Sequence, residues 1–190
     1  MGEGPWGGLG GGYVTQVDAL LGANYPERNI RVTNVGIGGN TIRHLRDRWE
    51  TDVTALRPDW LSVMIGINDV WRGFDHPNKP ELAVPLEEFE AELDGLIART
   101  RPQLKGLVMM TPFYLEPNPE EPLRARMDAF GQAVHRVAQH HQAIFVDVQA
   151  AFNRVLAHTP TQALASDRVH PNHVGHMVIA QAFYRSVGGA

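Results

Sequence analysis

Short apolar runs of strand length alternate along this chain with longer segments of helical spacing. The clearest runs are residues 60–65, Gly106–Met110 and Ile144–Val146, and each is followed by a glycine or a polar residue. Short strands that alternate with helices form a parallel sheet with helices on both faces. The sequence therefore predicts an α/β fold, a three-layer α/β/α sandwich.

Hydrophobic periodicity predicts helices between these strands. Leu86, Phe89, Leu93 and Leu96 share one face of a helix over residues 86–100. Further helices are predicted over residues 13–21, 41–56, 123–137 and 174–187. A β-branched strand is predicted over residues 30–35. Only a glycine-rich loop precedes the first helix, so we expect the chain to begin partway through a βαβ unit.

The length and composition indicate one globular domain over residues 1–190. A net charge of -4 without a basic run gives no attraction to nucleic acid or to an anionic membrane. The absence of cysteine excludes disulfides, thiolate metal sites and a cysteine nucleophile. No apolar stretch has the length of a membrane span, and the residues after Met1 do not resemble a signal peptide. We therefore expect a cytoplasmic protein.

Two glycine-containing motifs directly follow predicted strands, where open α/β sheets bind ligands. The first covers residues 34–41, where glycines let the backbone approach a ligand and a helix start leaves N–H groups free. The second covers residues 66–69, in which the amide of Asn68 could donate to developing negative charge. Each motif is also consistent with a tight turn, capped in the second by Asp69.

Histidines near the last helix form two overlapping patterns. Asp167 stands three residues before His170, where its carboxylate could orient the ring and leave Nε2 free as a base. The alternative is a surface histidine beside a capping aspartate. His170, His173 and His176 also share a three-residue spacing that could suggest a metal site. Pro171 interrupts that spacing, which favours ordinary solvent-edge or core histidines.

Two further groups of side chains have competing interpretations. The acidic residues of the 86–100 segment read as the solvated face of a helix; they are Glu87, Glu88, Glu90, Glu92 and Asp94. Aromatic side chains in predicted loops after strands could form a sugar-binding rim or cover the core; they are Trp71, Phe74, Phe113 and Tyr114. Of these, we take Trp71 and Tyr114 as candidate substrate-binding residues.

The order of the motifs is more specific than any one of them. Four stretches are informative when taken together. They are Gly-Ile-Gly-Gly-Asn-Thr-Ile-Arg at residues 36–43, Met-Ile-Gly-Ile-Asn-Asp-Val-Trp at 64–71, Met-Thr-Pro-Phe-Tyr at 110–114 and Asp-Arg-Val-His-Pro at 167–171. The first, second and fourth of these stretches resemble, in this order, the second, third and fifth blocks of the SGNH (GDSL-like) hydrolase superfamily. The likeness is greatest to its bacterial acetylxylan esterases and covers nearly the whole chain.

The resemblance implies a flavodoxin-like sheet and a role for each motif. Gly39 and Asn68 would donate to the oxyanion of a tetrahedral intermediate. His170, oriented by Asp167, would act as the general base and then as the acid. The implied substrate is a small acylated carbohydrate such as an acetylated xylan fragment, cleaved through an acyl-enzyme. No metal or organic cofactor is implied.

One block of the family is missing from these residues. The family's nucleophile is the serine of a Gly-Asp-Ser block after the first strand, and Ser62, Ser166 and Ser186 do not stand in that context. We expect an N-terminally truncated esterase that lacks its first strand, is impaired or inactive, and either is unstable alone or associates through exposed sheet edges. The alternatives are a carbohydrate-binding pseudoenzyme or, third, a metal-dependent hydrolase that uses His170, His173 and His176.

Overall fold

The sheet consists of three parallel strands in a computed structural model that describes residues 9–76 and 78–189. The strands are β1 (Trp60–Met64), β2 (Gly106–Met110) and β3 (Ile144–Val146), and they lie in this order. Trp60 is in register with Gly106, and Val108 is in register with Ile144. The three apolar runs of the sequence therefore form the sheet as predicted.

Helices follow each strand and pack on both faces of the sheet. In chain order they are α1 (Tyr13–Asn24), α2 (Ile42–Asp52), α3 (Ile67–Asp75), α4 (Leu86–Thr100), α5 (Pro122–His140), α6 (Val148–Leu156) and α7 (His173–Ser186). Short 3₁₀ turns lie between several of these elements.

The central strand, β2, is fully buried and separates two hydrophobic cores. Leu107 and Met109 pack into one core, which also contains side chains of α2, α4 and α5. Val108 and Met110 pack into the other, which contains side chains of α6 and α7. Because successive side chains of a strand point to opposite faces, the two cores lie on opposite sides of the sheet. This arrangement is the predicted α/β/α sandwich.

The acidic side chains of α4 face neighbouring helices as well as solvent. Ion pairs join Glu88 to Arg43, Glu92 to Arg46 and Glu90 to Arg136. Each partly exposed pair contributes at most about 1 kcal/mol. Three of these carboxylates therefore lie against α2 and α5 rather than in open solvent, whereas Glu87 is exposed as the sequence suggests.

Two sequence-based predictions about elements are wrong. Residues 30–35 do not form a strand, and across the described residues no backbone hydrogen bond joins this segment to a neighbour. A β-branched composition favours extended backbone, but a strand also needs a partner. Trp71 and Phe74, expected in a loop, lie in α3, a short helix that the sequence analysis did not predict.

Over residues 9–76 and 78–189, the helices lack the combination of length and apolar character that crossing a membrane requires.

Candidate active site

The segment after β1 turns sharply into α3. Gly66 has a φ of 123°, a conformation that favours glycine. A Cβ atom there would lie 3.1 Å from the ring of Pro112 and 3.3 Å from that of Phe89. Both the backbone and the surroundings therefore require glycine at this position. The turn places Asn68 in the first turn of α3, beyond the carboxyl end of β1.

A second turn, over residues 36–41, leads into α2. Gly39 has a φ of 82°, and the N–H of Asn40 donates to the carbonyl of Ile37 at 3.3 Å. At the start of α2 the N–H of Thr41 donates to Nδ1 of His44 at 3.2 Å, as in a capping box, and Oγ1 of Thr41 lies 2.8 Å from the same nitrogen. The glycine motif is therefore a tight turn, and its last N–H groups, those of Asn40 and Thr41, are already hydrogen-bonded within it.

Two hydrogen bonds hold these segments together. The Nδ2 of Asn68 donates to the carbonyl of Asn40 at 3.1 Å, and the N–H of Ile42 donates to Oδ1 of Asp69 at 2.8 Å. Asn68 is therefore held beside the residue that follows Gly39. Asp69 joins the start of α2 to that of α3, a role that its place in the sequence does not reveal because its partner is distant along the chain.

The environment of Asp69 is unusual for a carboxyl group. Its side chain is fully buried, and Oδ2 has no hydrogen-bond partner among the described residues. Burial raises the pKa of Asp69 to about 6, although the N–H of Ile42 opposes the shift.

Arg72, which the sequence analysis did not single out, is close to the glycine turn: its Nη2 would lie 3.4 Å from a Cβ at Gly39.

Asp167 and His170 form a hydrogen-bonded pair within one short loop. The ring Nδ1 of His170 lies 2.5 Å from Oδ2 of Asp167, and Oδ1 accepts from the backbone N–H of His170 at 2.8 Å and of Val169 at 3.0 Å. Partial burial raises the pKa of Asp167, but these hydrogen bonds outweigh it and bring the pKa to about 2. An ionised Asp167 selects the tautomer with hydrogen on Nδ1, which leaves Nε2 as an acceptor.

The loop that carries this pair is fixed at both ends. Ala165 and Pro171 form an antiparallel bridge, and the N–H of Asn172 donates to the carbonyl of Leu164 at 2.7 Å. Between them, Arg168 has a left-handed φ of 67°, and its carbonyl accepts from the N–H of Leu115 at 3.0 Å. The pair is therefore held against the segment that follows β2.

Trp71 connects the Asp167–His170 loop to the turn of α3 that carries Asn68. Its ring packs edge-on against that of His170, with 5.5 Å between the ring centroids. Trp71 is one helical turn after Asn68, so both side chains lie on the same side of α3. Tyr114, the other candidate substrate-binding residue, is largely buried, and its N–H donates to Gln149 at 2.8 Å.

None of the three serines is hydrogen-bonded to His170 in the part of the chain that the structure describes. Ser62 lies in β1 with its Oγ 3.5 Å from the sulfur of Met110, and Ser186 bonds to the carbonyl of Ala182 within α7. Ser166 is exposed beside Asp167. These residues therefore offer His170 no activated hydroxyl group.

The histidine series near α7 does not gather into a metal site. The described residues contain one group of at least three potential ligands with mutually close atoms, and it lies elsewhere, at Asp94, His140 and His141. His176 is half-buried, and burial lowers its pKa. Its ring lies 3.6 Å from where a Cβ of Gly12 would be, so it packs against the segment before α1.

Comparison with known proteins places this geometry in a family. The model of the GDSL-like Lipase/Acylhydrolase family matches residues 2–178. An acetylxylan esterase of Geobacillus stearothermophilus is 54% identical over 187 residues, which are 98% of this chain and 85% of that protein.

Two solved structures are similar over the same extent. Axe2, an acetylxylan esterase from Geobacillus stearothermophilus, has a TM-score of 0.95 at 53% identity and covers 100% of this chain with 86% of its own. LAE5, an α/β hydrolase from the metagenome of Lake Arreo in Spain, has a TM-score of 0.95 at 50% identity over 98% of this chain and 86% of its own.

Three further structures of Axe2 are of catalytic mutants, in which alanine replaces a serine, an aspartate or a histidine. The family model and these relatives confirm the resemblance read from the sequence motifs. The chain belongs to the GDSL-like lipase/acylhydrolase family, the SGNH-type esterases.

Proposed function

We propose that this protein is a serine-type esterase that removes acetyl groups from carbohydrates such as xylan fragments. The observation that carries the proposal is the Asp167–His170 pair, whose imidazole ring packs edge-on against Trp71, one helical turn from Asn68. The acetylxylan esterases among its relatives support an acetylated carbohydrate as the substrate. The half-buried Trp71 and the Tyr114 segment are the proposed contacts to the sugar.

The proposed mechanism uses each group for one task. Nε2 of His170 takes the proton of a serine hydroxyl as its oxygen attacks the ester carbonyl, and Asp167 stabilises the resulting imidazolium. The backbone N–H of Gly39 and the amide of Asn68 stabilise the oxyanion. His170 then returns the proton to the sugar oxygen, which leaves. Water repeats the sequence and releases acetate.

We further propose that the nucleophilic serine belongs to a segment that precedes Met1, within the same domain as residues 1–190. The aspartate and histidine changed in the Axe2 catalytic mutants have the spacing of Asp167 and His170. In Axe2 the mutated serine precedes the mutated aspartate by more residues than separate Met1 from Asp167 in this chain. The position that matches the serine therefore lies before Met1. A serine there would supply the hydroxyl that Ser62, Ser166 and Ser186 do not offer.

The test compares the 190-residue chain with a form extended by its natural upstream codons. Esterase activity on p-nitrophenyl acetate and on acetylated xylo-oligosaccharides should be very low for the first form and appear in the second. Replacing the upstream Gly-Asp-Ser serine by alanine should lower kcat by about 10⁶. His170→Ala should do the same, while His158→Ala, an exposed histidine in a turn after α6, should retain full activity.

Other outcomes would replace the proposal. Oligosaccharide binding without turnover in the extended form would indicate a carbohydrate-binding pseudoenzyme. Vigorous turnover by the 190-residue form that chelators abolish would indicate a metal-dependent hydrolase. The cytoplasmic location stays a prediction, which cell fractionation tests.

A further inference from the structure

A cluster of two histidines and one aspartate joins α4 to the end of α5. Oδ1 of Asp94 lies 2.8 Å from Nδ1 of His140 and 2.8 Å from Nε2 of His141. The two imidazole rings pack together, with 4.5 Å between their centroids. Three potential ligand atoms from two helices therefore meet at one point, and the esterase mechanism uses none of them.

The donor set is the one that borderline transition metals prefer. Neutral imidazole nitrogens and a carboxylate oxygen bind Zn²⁺ at about 2.0–2.2 Å, usually in a tetrahedron. Ligand atoms in such a tetrahedron are roughly 3.3 Å apart, so the present 2.8 Å separations need to widen by only about half an ångström. His140 is 68% exposed and can make this adjustment.

Each imidazole can free its inward nitrogen without gaining charge. In the present arrangement each inward nitrogen donates its hydrogen to Asp94. A neutral ring can carry that hydrogen on its other nitrogen instead, which turns the inward nitrogen into a lone-pair donor. The same three side chains can therefore form hydrogen bonds or hold a cation.

The surroundings hold one ligand firmly and favour positive charge. The side chain of His141 is only 9% exposed, and its carbonyl accepts from Nε of Arg101 at 2.9 Å. Both histidines lie at the carboxyl end of α5, where the helix dipole favours a cation. The nearby guanidinium of Arg136 is bound to Glu90 at 2.6 Å, so its charge is already matched.

We propose that Asp94, His140 and His141 form a site for one divalent transition-metal ion of the Zn²⁺ class, separate from the esterase site. Three protein ligands leave the fourth position of a tetrahedron to water, which the exposed ring of His140 allows. The ion would cross-link α4 and α5, and its effect would be on stability. The site does not depend on the nucleophilic serine or on the proposed function.

Isothermal titration of ZnCl₂ into the protein, purified without a histidine tag, tests this proposal. We expect one Zn²⁺ per chain with a micromolar Kd, and a Tm that rises with Zn²⁺ concentration. His140→Ala and Asp94→Asn should each weaken binding by at least about tenfold and remove the rise in Tm. His158→Ala removes an exposed histidine elsewhere and should leave both unchanged.

The variants are chosen so that misfolding cannot hide the result. His140 and Asp94 are exposed enough to be replaced without opening the core, whereas His141→Ala is tested only if its far-ultraviolet circular dichroism matches that of the parent. The proposal is overturned if millimolar Zn²⁺ gives neither heat nor a change in Tm. It is equally overturned if His140→Ala and Asp94→Asn bind Zn²⁺ as tightly as the parent does.

Discussion

Asp69 combines a buried carboxyl group with a hydrogen bond that joins two helices of the site. Its folded-state pKa of about 6 is above the ordinary aspartate pKa of 3.8, which the unfolded chain has. Between these values the folded protein keeps a proton that the unfolded chain has lost, so the free energy of unfolding falls as the pH rises through this interval. The contribution is fully present below about pH 4 and amounts to on the order of 2–3 kcal/mol.

Asp69→Asn should remove this dependence. The variant cannot titrate, and its amide oxygen can still accept from the N–H of Ile42. Urea unfolding at a series of pH values from 4 to 7 measures the effect as a difference between variant and parent. A parental slope that persists unchanged in Asp69→Asn would show that another group titrates in this interval.

In the proposed extended form, Asn68→Ala should lower kcat by about 10²–10³ and change KM little, because the proposed role of Asn68 as an oxyanion donor acts mainly in the transition state. Asn68→Asp keeps the size of the side chain but places negative charge beside the oxyanion, so it should be at least as damaging. Steady-state kinetics on p-nitrophenyl acetate separate the two parameters. A rise in KM alone would instead assign Asn68 to substrate binding.

At the scale of elements, α7 begins at a residue that also secures the Asp167–His170 loop. The Oδ1 of Asn172 accepts from the N–H groups of Val174 at 3.0 Å and Gly175 at 3.2 Å, and its Nδ2 donates to the carbonyl of Ala163 at 2.8 Å. Asn172→Ala should reduce the free energy of unfolding by about 1–2 kcal/mol. Asn172→Asp keeps the cap and loses only the donated bond, so urea unfolding should show a smaller loss; equal losses would contradict the capping role.

The elements also show what hydrophobic pattern can and cannot predict. β2 was predictable because an unbroken apolar run of five residues is typical of a central parallel strand. The sequence analysis did not predict α3 and α6, each of which is a nine-residue helix directly after a strand or its loop. Nine residues are too few for hydrophobic periodicity to distinguish a helix from a loop. The candidate site depended on the order of motifs along the chain, which the pairing of Asn68 with Asn40 supports.

Other parts of the site were not predictable from the sequence. Asp69 reads as a local cap, yet its partner is at the start of a different helix. Asp94 reads as one carboxylate of a solvated face, and only the packing of α4 against α5 brings His140 and His141 to it. Such contacts join residues far apart in the chain, and a single sequence carries no signal for them.

At the scale of the whole molecule, β1 is the edge strand of the described sheet, and this position predicts how the chain assembles. In the family's strand order the first strand lies next to β1, and among the described strands β1 pairs only with β2. Exposed strand edges recruit other chains. The 190-residue chain should therefore associate in size-exclusion chromatography, and the extended form should do so less.

Hydrogen exchange provides the residue-level control for this prediction. In a parallel sheet alternate N–H groups of a strand point to opposite neighbours, so half of those in β1 should exchange quickly in the 190-residue chain and slowly in the extended form. The amides of β2, which is covered on both sides, should be slow in both forms. Equal protection of β1 in the two forms would rule out an added neighbouring strand.

The Asp167–His170 loop has an evolutionary consequence. Every hydrogen bond that orients the ring comes from within four consecutive residues, since the carboxylate holds two backbone N–H groups and the ring itself. The proposed base and the carboxylate that orients it are thus inherited together on one contiguous peptide, whichever segment carries the nucleophile.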